Sequence, residues 1–217
     1  MGKAVVFLNG ELDIDADACR AMVSEDDAVF CADGGANHAM AAGIVPDLVM
    51  GDMDSLSGGT RAWLESNGVE MKFFPAEKDC SDAELLLDHV CSEGFREIGV
   101  IGAAGGRQDH QLANLLLLGR YAAQGVHVKF LHRSGFIECV IGKAEVSVKN
   151  RKGWLFSFFP LSDTAVVSLE GFKYGLDCYP AVRGATIGLS NIAESDDALI
   201  AVHSGTSITM FQKDEEK

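Results

Sequence analysis

Residues 98–123 read IGVIGAAGGRQDHQLANLLLLGRYAA, and this stretch decides the fold. Residues 98–101 are apolar and short, as in a buried strand. Gly102, Ala103, Ala104, Gly105 and Gly106 are too small and flexible to continue it, so they read as a loop. From Asp109 to Ala123 the leucines at 112, 115, 116 and 118 recur at helical spacing. A strand, a glycine loop and a helix in that order form half of a βαβ unit. Gly105 and Gly106 let backbone approach a ligand closely, and the helix opening offers unpaired N–H groups and partial positive charge. Arg107 can reach phosphate oxygens as a planar fork. Asp109 is either a group facing a ligand or a helix cap.

The same alternation runs upstream. Residues 4–8, 28–32, 48–50 and 69–74 read as strands. Residues 17–24, 37–42, 57–65 and 81–91 read as helices, with Ser57 as a cap and Ser81 with Glu84 as a capping box. Strands separated by helices predict a mostly parallel sheet with helices on both faces. The pattern changes near Gly125. Strand-like runs follow at 126–131, 136–141, 144–149, 154–159, 165–169, 185–189, 198–203 and 207–212, with hairpin turns expected at 150–153 and 204–205. The expected architecture is an α/β N-terminal domain, residues 1–125, followed by an all-β antiparallel sandwich, residues 126–217.

Net charge of −14 argues against a nucleic-acid partner, and the chain has no clustered basic patch. A phosphorylated small molecule remains compatible if cations neutralise it locally. No apolar run approaches the ~20 residues needed to span a bilayer. The first residues lack the long apolar core of a signal peptide, so a cytoplasmic location is expected. The six cysteines are widely spaced without a CxxC pair and read as reduced thiols in apolar surroundings.

Aspartates recur in turns that follow apolar runs. Asp33 lies in DGGAN (33–37), Asp52 and Asp54 in PDLVMGDMDS (46–55), Asp79 and Asp82 in EKDCSDAE (77–84), and Asp109 in GGRQDHQLAN (105–114). Ligands of open α/β sheets bind at such strand ends. Converging carboxylates repel one another unless a cation lies between them, which points to a divalent metal. In extended geometry Asp52 and Asp54 share a face. Gly34 and Gly35 either lie against a nucleotide or only serve their turn.

These four segments, in this order, resemble the motif set of the thiamine pyrophosphokinase family. A Ser-Asn pair in the C-terminal β domain completes the pattern, here Ser190-Asn191 in ATIGLSNIA after Phe172-Lys173-Tyr174. The departures are small: Cys80-Ser81 replaces the usual x-Thr, Met53 stands between the paired aspartates, and Leu189 precedes Ser190 where Thr is common. The resemblance implies pyrophosphoryl transfer from ATP to the hydroxyl of thiamine, releasing AMP, with Mg²⁺ as cofactor. It implies Asp52, Asp54, Asp82 and Asp109 as catalytic groups, and Asp52, Asp54, Asp79 and Asp82 as metal ligands. Asp33, Gly34, Gly35, Asn37, Lys78, Gly105, Gly106 and Arg107 would contact the nucleotide. Asp54, Asp109, Ser190, Asn191 and Tyr174 would contact thiamine, with Tyr174 or Trp154 as the stacking ring. Asp54 or Asp109 would accept or orient the hydroxyl proton. The family's homodimer, whose site lies between subunits, is the implied assembly. A pyrophosphokinase for a pterin-like hydroxymethyl heterocycle and a non-catalytic nucleotide- or thiamine-binding module are the competing readings.

Overall fold

A computed structural model describes residues 2–75, 77 and 79–213. The chain divides into two compact units, one of residues 1–117 with 126–133, the other of residues 118–125 with 134–217.

The first unit holds β1 (Ala4–Phe7), α1 (Ala16–Ala21), β2 (Ala28–Ala32), α2 (Gly35–Ala41), β3 (Leu48–Gly51), α3 (Gly58–Ser66), β4 (Glu70–Phe73), α4 (Asp82–Ser92), β5 (Glu97–Ile101) and β6 (His127–His132). Helix α5 (Gln108–Ala123) begins in it. Its strands pair in parallel in the order β6-β5-β1-β2-β3-β4. The chain builds outward from β1 to β4, then returns to lay β5 on the other side of β1. That reversal is a topological switch point, beside which ligands of open α/β sheets bind. The loops after β1 and β5 run together there, the Gly10 and Glu11 N–H groups donating to the Gly102 and Ala104 carbonyls, both at 2.9 Å.

Both faces of this sheet are covered, because alternate residues of one strand meet different helices. Val29 and Cys31 of β2 join Val5, Phe7, Val49, Ala36, Ala39 and Leu64 in one buried cluster. Phe30, between them, faces the other way, edge-on to the rings of His89 on α4 (6.4 Å) and Phe95 (5.7 Å). The helix starts follow the expected caps. Ser57 Oγ accepts the Thr60 N–H at 3.0 Å, and Ser81 Oγ accepts that of Glu84 at 3.2 Å.

The second unit is antiparallel and two-layered. One sheet runs β12 (Asn191–Ile192), β9 (Leu155–Pro160), β14 (Thr206–Gln212), β7 (Gly135–Ile141). The other runs β11 (Leu176–Val182), β10 (Thr164–Glu170), β13 (Asp197–Ser204), β8 (Ala144–Lys149). Phe156 anchors the first sheet, with its ring 4.9 Å from those of Phe172 and Phe211. Val148, Val167, Leu169, Ile200 and Val202 are buried on the second.

Four sequence expectations are corrected here. Residues 126–131 carry the composition of the β-rich part, yet β6 pairs in parallel with β5 in the first unit. Residues 185–189 form turns rather than a strand, and Ile187 and Leu189 are exposed. Strand β11 was not expected at all. Residues 150–153 and 204–205 are not hairpin turns, because each joins a strand of one sheet to a strand of the other.

Candidate active site

The loops at the carboxyl ends of β1, β2, β3 and β5 and the start of α4 surround a cleft of about 850 Å³. Asp33, Asp52, Asp54, Asp82 and Asp109 line it, together with Gly105, Gly106, Arg107 and His110. Four stretches far apart in sequence therefore bring their aspartates to one place.

Asp33, Asp52 and Asp54 come closest. Each offers an oxygen, and these atoms lie within 4.8 Å of one another. Three mechanisms in the sequence place them. Asp33 sits directly after β2 at φ 44°, and its N–H donates to the Met50 carbonyl at 2.8 Å. Gly51 lets the end of β3 press on it: a Cβ there would stand 2.9 Å from Asp33 Cβ. Met53 then turns left-handed, at φ 64°, and buries its side chain in the apolar cluster, so Asp52 and Asp54 are turned toward the cleft. The extended geometry expected for this pair is thus replaced by a tight turn pinned at its centre. Asp54 N–H closes it by donating to Asp52 Oδ1 at 3.2 Å.

Asp33 is only 6 % exposed, and its Oδ1 has no hydrogen-bond partner among the described residues. Leaving a buried acceptor unmatched costs about 1–3 kcal/mol. Three convergent carboxylates, one of which also carries an unmatched oxygen, form a hard-oxygen donor set that suits Mg²⁺. Sequence reasoning gave Asp33 to the nucleotide; its place in this cluster was missed, although its position at a strand end was the available signal. Asp79 is exposed and lies outside both the cluster and the cleft lining, in a bend two residues before the α4 cap. Lys78 lies outside the described residues.

Asn37, Gly34 and Gly35 serve the loop rather than line the cleft. The Asn37 amide nitrogen donates to the Ser55 carbonyl at 2.9 Å, and its oxygen accepts the Ser57 N–H at 3.1 Å and the Thr60 hydroxyl at 2.6 Å. A Cβ on Gly35 would stand 2.2 Å from the Phe7 carbonyl, so that glycine allows α2 to approach β1.

Across the cleft, α5 begins at Gln108, so Asp109 sits in its first turn rather than at its cap. Arg107 Nε and Nη2 donate to its two carboxylate oxygens at 3.1 and 2.6 Å. That pairing holds the Asp109 carboxyl below the ordinary carboxylate range, assisted by the His110 N–H, and raises the guanidinium in turn. Asn114, also in the lining, donates to the Ala103 carbonyl at 2.9 Å and ties α5 to the glycine loop. Its i+4 spacing from His110 was the signal that would have found it.

In the second unit, Asn191 is 3 % exposed. Its oxygen accepts the N–H groups of Tyr174 (3.0 Å) and Ile192 (2.9 Å), and its nitrogen donates to the Tyr174 carbonyl (2.8 Å). Asn191, expected to contact the vitamin, thus also clamps the segment that carries Tyr174. Ser190, at φ 56°, and Tyr174 are exposed. Trp154 is half-buried between Arg151 and Lys213, whose cationic groups lie 5.1 and 5.5 Å from its ring.

Residues 19–130 match the family model for the thiamin pyrophosphokinase catalytic domain, and residues 143–208 match that for the thiamin pyrophosphokinase vitamin B1 binding domain. Thiamine pyrophosphokinase of Bacillus subtilis (strain 168) is 30 % identical over 161 residues, covering 73 % of this chain and 75 % of its own. A crystal structure of thiamine pyrophosphokinase from Bacillus subtilis superposes with a TM-score of 0.87 at 26 % identity, over 98 % of this chain and 100 % of that one. One of thiamin pyrophosphokinase from Geobacillus thermodenitrificans gives 0.84 at 27 % identity, over 99 % of both chains. Two successive domain matches along one polypeptide, joined to a fold shared over nearly its whole length, establish that this chain belongs to the thiamine pyrophosphokinase family.

Proposed function

We propose that the protein transfers a pyrophosphoryl group from ATP to the primary hydroxyl of thiamine, giving thiamine diphosphate and AMP. The observation that carries this reading is the group of three carboxylates, Asp33, Asp52 and Asp54, at the strand ends. Simple binding of a vitamin cation does not call for such a group, whereas handling a polyphosphate does. Asp33, Asp52 and Asp54 would hold Mg²⁺, which when bound offsets the crowded negative charge of the β- and γ-phosphates.

The remaining steps belong to the chain's own groups. Gly105, Gly106 and the opening of α5 present backbone N–H groups to phosphate oxygens. Arg107 balances their charge; to do so it exchanges one or both of its bonds to Asp109 for phosphate. Asp109, held ionised, then orients the thiamine hydroxyl and accepts its hydrogen bond as the oxygen attacks the β-phosphorus. A carboxylate is a weak base toward an alcohol even at its ordinary pKa, so its contribution is alignment more than proton abstraction. Asp82 lines the same cleft and adds to its negative field. Ser190 and Tyr174 offer a hydroxyl and a ring to the vitamin.

The same reading pairs two copies of the chain. The exposed Leu112 and Leu116 on α5, and the exposed Val182, Ile187 and Leu189 of the second unit, support it as apolar surface for a partner. Light scattering at assay concentration tests it, and a monomer mass there removes it.

The decisive assay incubates the protein with ATP, Mg²⁺ and thiamine and resolves products by mass. Thiamine diphosphate and AMP in equal amounts are expected. ADP as the product, or turnover only with a pterin alcohol, overturns the reading.

A further inference from the structure

The second unit carries a cluster of nucleophile and base that pyrophosphoryl transfer does not use. Ser168, Cys178 and His203 come from the adjacent strands β10, β11 and β13. Ser168 Oγ lies 2.8 Å from His203 Nε2 and accepts the Cys178 N–H at 2.9 Å. Cys178 Sγ lies 3.7 Å from His203 Nε2 and 3.9 Å from Ser168 Oγ. Two irregularities make this possible. Between the pairs Val167–Tyr179 and Leu169–Leu176, Asp177 and Cys178 oppose the single residue Ser168. Between Val166–Ser204 and Val167–Val202, His203 is the extra residue on the opposite edge of β10. Bulges re-aim side chains, and here two of them turn a thiol and an imidazole toward one hydroxyl. Cys178 also holds φ 44°, a backbone conformation that a non-glycine residue adopts only under constraint.

The other thiols are placed differently. Cys19, Cys31 and Cys139 are buried, Cys80 and Cys91 are half-buried, and Cys178 alone of the six is exposed. Burial raises the thiols of Cys19 and Cys31 and, with the neighbouring Glu138 carboxylate, pushes Cys139 up to about 12.

We infer that Cys178 is a modification site: a nucleophilic thiol, served by His203 and Ser168, that takes low-molecular-weight disulfides. His203 Nε2 takes the Sγ proton. The imidazolium N–H and the Ser168 hydroxyl, which turns from His203 to the sulfur, then face the thiolate together. The thiolate attacks one sulfur of the disulfide, a new Sγ–S bond forms, and the old S–S bond breaks. The departing thiolate recovers the proton from His203, so one free small thiol leaves for each mixed disulfide formed.

The test exposes the full-length protein to excess oxidised glutathione and follows each cysteine by peptide mass. In the wild-type chain Cys178 gains the adduct first, with Cys80 and Cys91 trailing. Cys178→Ser abolishes the fast phase, and His203→Gln slows it by roughly tenfold or more, since glutamine cannot take the proton. Pyrophosphokinase activity of both variants before treatment matches wild type. A fast phase at Cys80 or Cys91, or a His203→Gln rate equal to wild type, overturns the assignment; the wild-type order needs no variant and stands as a test by itself.

Discussion

Asp33 shows how a single buried oxygen exposes the logic of the cleft. Its carboxylate stands against Asp52 and Asp54 with one oxygen unmatched, an arrangement that costs stability and that the proposed cation would relieve. Asp33→Asn removes one charge from the cluster. The variant should therefore melt at or above the wild-type temperature in chelator, yet gain less from added Mg²⁺. Calorimetric titration with Mg²⁺ alone should show binding weakened by roughly tenfold or more, the effect of losing one charged ligand. Equal Mg²⁺ affinity in both proteins would remove Asp33 from the cation site. Arg107 and Asp109 give the second residue-scale prediction. Because hydrogen bonds from Arg107 lower the folded-state pKa of Asp109, the pair stabilises the fold above the unfolded carboxylate pKa. That contribution is lost as pH falls through the depressed value. In Arg107→Ala, the Asp109 carboxyl should titrate at higher pH than in wild type, as read by carbon NMR of labelled aspartate.

Two asparagines illustrate how elements, rather than contacts with ligand, carry a site. Asn37 ties α2, which follows Asp33, to Ser55 and to the start of α3, which flank the turn bearing Asp52 and Asp54. Asn37→Ala should cost about 1 kcal/mol in urea unfolding and lower kcat by roughly tenfold, with the KM for thiamine little changed. A rise confined to the nucleotide KM would restore Asn37 as a ligand. Asn191→Ala should likewise cost about 1–3 kcal/mol, because it strands the backbone of Tyr174 and Ile192; unchanged unfolding would return Asn191 to the vitamin pocket. Element by element, the first unit was readable because β1, β2, β3 and β5 are buried on both faces and its helices α3 and α4 announce themselves with Ser57 and Ser81. Strand β11 was not. It lies at a sheet edge, most of its side chains are exposed, and it contains Asp177 and Pro180, so neither alternation nor propensity marks it. Residues 185–189 failed in the opposite way: Thr186 and Ile187 favour strands, but Gly188 packs its backbone on Phe158 and turns the chain. The aspartates of the cleft were legible as strand-end groups, whereas the role of Met53 as their buried pin depends on packing that no local pattern shows.

At the scale of the whole molecule, the net charge of −14 acts on every substrate before contact. Thiamine carries a cationic thiazolium ring, so an acidic surface raises its local concentration, while the same field repels ATP unless cations, in the proposed mechanism Mg²⁺ and Arg107, offset it locally. Raising ionic strength from about 0.1 M to about 1 M shortens the screening length from ~10 Å to ~3 Å and removes most of this long-range field. The KM for thiamine should therefore rise several-fold across that range, whereas the KM for MgATP should stay level or fall. The opposite signs separate steering from a general salt effect on the protein, which would move both constants together. A neutral salt such as potassium chloride, tested beside an equal osmolarity of sucrose, isolates screening from solvent exclusion. Should the thiamine KM prove flat in salt, the acidic surface serves solubility alone, and recognition of the cation falls entirely to short-range groups, for which Tyr174 is the proposed ring although the Lys173 ammonium lies 5.4 Å from its centre.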